Sequence, residues 1–78
     1  MTYQPTNIDI AWARDMLANV VDGGVMVFPA AGAIYEVSHT HKTLTLKNEE
    51  LLSVNPEIHL RTTAVFSKVG YEVLPHLA

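Results

Sequence analysis

Two histidines two residues apart, His39 and His41, are the side chains of this chain best suited to hold a metal. On a strand that spacing turns both imidazoles to one face, and His59 or His76 folded alongside would complete a three-nitrogen site. The blander reading is a polar connection between two strands over residues 38–42. With no cysteine and no H-E-x-x-H pairing, the sequence favours that connection and implies no cofactor. A second candidate is the glycine-bearing segment 22–32. Glycine loops hold phosphate where they open a helix, because free amides and the helix dipole converge there. Here Gly23 and Gly24 follow a helical pattern and lead into a strand, with no lysine or serine at P-loop spacing. Glu49 and Glu50 are adjacent rather than opposed, and no serine sits in a G-x-S-x-G elbow. These absences argue against an enzyme.

The elements that would position these residues follow from periodicity. Thr6 or Asn7 caps a first helix with Asp9 in its first turn, and Ile8, Trp12, Met16 and Val20 form its apolar stripe, flanked by Ala13 and Leu17. Asp22, Gly23 and Gly24 end that segment. Residues 25–28 are wholly apolar and read as a central strand, and Pro29 to Gly32 as the turn that follows. Residues 33–38 alternate with Ala33, Tyr35 and Val37 on one face, and residues 43–47 alternate with their leucines inward. Residues 48–52 can form a helical turn. Asn55 and Pro56 start a second helix with the stripe Ile58, Thr62, Val65, Phe66 and Val69. Gly70 stops it and residues 71–74 form a last strand. The expectation is one α+β domain over residues 1–78, order α-β-β-β-α-β, with two helices on one face of an antiparallel or mixed sheet. A crossing second helix would bring the last strand beside the first.

Composition narrows the function. Hydrophobic residues are 49% of 78, charged residues 17%, and the net charge is −3 with five scattered cations. Without a basic patch, nucleic acid and anionic membrane surfaces are poor partners. No apolar run approaches the ~20 residues of a membrane span, and no export signal is visible, which points to the cytoplasm. A domain this small and apolar, with no disulfide available, gains stability by oligomerising, so the first expected partner is a second copy.

The turn between the first two strands sharpens that expectation, because turns are normally polar and this one is not. Phe28, Pro29, Ala30, Ala31 and Gly32, with Tyr35, Leu51 and Leu52 nearby, are the predicted interaction residues. The alternative is a small, nucleotide-type ligand in an intersubunit pocket, with backbone donors from Gly23, Gly24 and Gly32 and counter-charge from Arg14 or Arg61. A further alternative is the His39–His41 metal site. The pattern D-G-G-V-x-x-x-P-x-x-G-x-I-Y, carried by Asp22, Gly23, Gly24, Val25, Pro29, Gly32, Ile34 and Tyr35, is followed by Phe66, Gly70, Tyr71 and Val73. Together they resemble short uncharacterised proteins of bacteria and their phages. The resemblance implies no activity; a phage origin would make blocking or sequestering a host factor the expected use.

Overall fold

The computed structural model describes residues 3–76. Helix α1 spans Asn7–Ala18. Thr6 caps its N-terminus: its hydroxyl accepts the Asp9 amide, and the Asp9 carboxylate accepts the Thr6 amide at 2.9 Å. The buried residues are Ala13 and Leu17, so the helix packs by its small side chain. The helix stops at Ala18 with Asn19 as its cap, not at Asp22–Gly24, so Val20 lies beyond it and those glycines serve the turn into the sheet instead. Met16 is displaced to the flank, Trp12 is half exposed, and Ile8, expected in the stripe, lies outside at 81% exposure.

Strands β1 (Val25–Phe28), β2 (Ala33–Ser38) and β3 (Thr43–Leu46) form an antiparallel meander. A helical turn α2 (Leu51–Val54) leads into α3 (Pro56–Ser67), and β4 (Glu72–Leu74) closes the sheet. Pro56 opens α3 as expected, but the Asn55 side chain makes no cap bond. The sheet order is β1-β2-β3-β4, with β4 parallel to β3. The last strand therefore does not lie beside the first. The α2–α3 crossover returns the chain to the nearer free margin, that of β3, where the Glu72 amide reaches the Lys42 carbonyl at 2.9 Å. As a result β1 is an edge strand, not the central one its apolar run suggested. Val25 and Val27 stand in solvent while Met26 points inward.

One face of the sheet makes the core. Ala33, Tyr35, Val37, Leu44, Leu46 and Val73 pack with Phe66 and Val65 of α3 and with Leu17 of α1. Each large apolar side chain buried this fully contributes about 1.5–3 kcal/mol. The opposite face carries Val25, Val27, Ile34 and Glu36 and is open. No helix among the described residues is long and apolar enough to cross a membrane.

Candidate functional site

A groove of about 470 Å³ lies between α1, α3 and the β1–β2 turn. Trp12 and Met16 come from α1; Ile58, Thr62 and Val65 come from α3; Val27, Phe28, Pro29, Ala30 and Ala31 form the third wall. The turn keeps its shape without polar side chains because the Phe28 carbonyl accepts both the Ala31 and Gly32 amides, at 3.0 and 2.8 Å. Gly32 closes the turn at φ +72, a conformation that costs a glycine nothing. Trp12 is held from two sides, 5.4 Å from the Phe28 ring and 5.8 Å from Phe66, yet remains 44% exposed. Such a braced indole loses little entropy on binding.

One end of the groove is charged. The Arg61 guanidinium lies 4.6 Å from the Tyr3 ring centre, and the Tyr3 hydroxyl donates to Asp9. The Thr6 amide first, then the Tyr3 hydroxyl, hold the Asp9 carboxyl below its usual value, with Arg61 adding attraction. This carboxylate is ionised and already bonded, which suits an anchor better than a proton acceptor.

Two histidines act as hydrogen-bonded staples. In the core, His59 stands between the Pro75 carbonyl and the Tyr35 hydroxyl, each at 2.8 Å. A carbonyl only accepts, so Nε2 carries the proton and Nδ1 accepts the Tyr35 O–H. His39 repeats the arrangement: Nε2–H donates to the Val20 carbonyl and Nδ1 accepts from Tyr71, both at 2.6 Å. Its own amide donates to Asp22 at 2.6 Å. The His39 amide, then that of Thr40, hold the Asp22 carboxyl low.

These contacts relocate several expected site residues. Phe28, Pro29, Ala30, Ala31 and Arg61 do line one groove. Tyr35 and Leu51 do not reach a surface; they are core residues because the inward faces of β2 and α2 carry them. Leu52 packs partly against that core. The glycine cradle is unavailable. The Gly23, Gly24 and Gly32 amides are spent on the carbonyls of Val37, Val21 and Phe28, and Gly32 lies beside the groove rather than in it. Arg14 is in a second, more open cleft of about 520 Å³ with Lys68, His39 and Tyr71, so it does not join Arg61. Both ring nitrogens of His39 are engaged, His41 is exposed on the turn, and His76 pairs with Glu72. No three potential ligands cluster among the described residues. Tyr3, Asp9 and Trp12 carry no local sequence signal of a site; the apolar stripe points Trp12 to the core, whereas the structure leaves it half exposed in the groove.

The fold and groove define the chain as a small α+β domain with a mixed four-stranded sheet and a surface groove. Comparison with protein families, curated proteins and solved structures returns no match.

Proposed function

We propose that the protein is a non-enzymatic interaction module that self-associates and takes an apolar segment of a partner protein into the groove beside Trp12. The observation that carries this reading is the braced, half-exposed indole in a groove walled mainly by apolar side chains. Tryptophan is enriched among the residues that dominate binding energy at protein interfaces. The Asp9–Tyr3–Arg61 end supplies polar partners for the main chain of such a segment. In a phage setting the segment belongs to a host protein that is blocked or sequestered. The test is selection of peptides from a displayed library on the intact protein. Selected peptides carry an aromatic or aliphatic anchor and lose roughly 30-fold in affinity against Trp12→Ala, the equivalent of about 2 kcal/mol. Ala30→Arg, which fills the groove from an exposed position, abolishes their binding. Failure to select any peptide, or peptides indifferent to both variants, overturns the reading.

A second reading rests on the other cleft. Arg14 and Lys68 share it, and neither is within ion-pair distance of a carboxylate among the described residues. A small anion would satisfy both. Inorganic phosphate or a nucleotide would then raise Tm in the parent and not in Arg14→Ala; an unmoved Tm removes this reading.

A further inference from the structure

The two margins of the sheet are built differently. β4 is three residues long, begins with a glutamate paired to His76, and is followed by Pro75. Charge, shortness and proline are the usual devices that stop a sheet from extending. β1 has none of them within it: its sequence is Val-Met-Val-Phe.

The phase of the ladder says which groups β1 leaves free. The Val37 amide donates to the Gly24 carbonyl at 2.8 Å, and the Lys47 amide donates to the Ile34 carbonyl at 2.8 Å. Val37, Tyr35 and Ala33 thus bond toward β1, and their partners Met26 and Phe28 bond toward β2. Val25 and Val27 therefore aim their N–H and C=O groups away from the sheet, and their side chains, 53% and 49% exposed, stand on its open face.

We infer that β1 pairs antiparallel with β1 of a second copy, about a two-fold axis through Met26. This rests on the self-association half of the reading above and supplies its surface. Centred there, Val25 of one copy exchanges both main-chain bonds with Val27 of the other, and the reverse holds. Other centres fail. A two-fold at Val27 sets Val25 against Pro29, which has no N–H. A two-fold at Val25 sets Val27 against Gly23, whose amide is spent on Val37 and whose φ is +82. In the Met26 register, Val25, Val27 and Ile34 of both copies join in one apolar strip across the shared face.

The test is the mass of the intact protein by light scattering and its dissociation constant by sedimentation. The parent runs at twice 8.6 kDa. Val25→Pro removes an outward N–H and no ladder bond, so it keeps the fold but weakens the dimer about tenfold or more. Val25→Lys does the same by placing a charge on the edge, and gives an independent check should the proline variant lose circular dichroism. Met26→Cys, the only cysteine in its chain, cross-links two copies on mild oxidation, because the register sets the two Cα atoms about 4.5 Å apart. A monomeric parent at high concentration, a dimer unmoved by the foldable Val25 variant, or no cross-link in folded Met26→Cys overturns the proposal. Val25 does not line the groove, so peptide capture by the Val25 variants is expected to persist and the two readings fail separately.

Discussion

Removing one oxygen from the core tests the His59 staple. Tyr35→Phe keeps the ring that lies nearly parallel to the imidazole, 10° between planes, and deletes only the hydroxyl that His59 Nδ1 accepts at 2.8 Å. Both residues are fully buried, so no water replaces the lost donor. The bond itself is worth about 1 kcal/mol net, and a buried acceptor left alone adds about 1 kcal/mol or more, giving a loss of about 2 kcal/mol. For a chain of this length that is roughly 8–16 °C in Tm. His59→Leu costs more, since it strands the Tyr35 hydroxyl and the Pro75 carbonyl together. In the double variant the Tyr35 term vanishes, so the two losses do not add, and a thermal-melt double-mutant cycle returns a coupling of about 1 kcal/mol or more. A Tyr35→Phe melt within about 3 °C of the parent, or a cycle additive to about 0.5 kcal/mol, would refute the staple.

Further expectations concern protons and backbone. Burial pushes the Tyr35 phenol above its usual value of 10, with the Thr62 hydroxyl drawing it partly back. Its contribution is therefore whole below pH 10 and fades as pH climbs through the folded value; urea midpoints above pH 10 should fall more steeply in the parent than in Tyr35→Phe. Asp22 has the opposite sign. Held below 3.8 by the His39 and Thr40 amides, it stabilises above that value and stops doing so as pH falls through its folded value, so Asp22→Asn should show a flatter acid limb. Gly24→Ala would place a methyl 3.0 Å from the Val21 carbonyl oxygen, and backbone cannot swing aside; a loss of about 1–3 kcal/mol in chemical denaturation is expected. Gly32→Ala meets open space and loses only about 1–2 kcal/mol, from its φ of +72.

What the sequence revealed and what it hid have separate physical causes. The faces of β2 and β3 were legible because each alternates, and both helix starts and the stop of α3 because Thr6, Pro56 and Gly70 have few other uses; α1 instead ends at Ala18 with Asn19 as its cap, well before Gly23. β1 was misplaced for the same kind of reason: an unbroken apolar run does not say which side chains face inward. An edge whose outer side chains are valines looks the same in sequence as a strand covered on both sides. The order of β4 depends on where a crossover lands, which local pattern does not encode. The groove was half visible. An apolar turn announced Pro29 and Ala30, whereas the Tyr3–Asp9–Arg61 end joins the N-terminal segment to α3, far apart in sequence. Both histidine staples likewise link distant segments.

The unequal margins of the sheet also bear on what happens when the protein is crowded. Addition at the Val25–Phe28 side finds receptive main chain, while the Glu72–Leu74 side meets a carboxylate and then a ring without an amide hydrogen. Growth by head-to-tail stacking needs both sides at once, and fibres are built in that way. If β1 pairs as proposed, a molecule receptive on a single side terminates at two copies, and an exposed apolar strand then gives a closed pair instead of a filament.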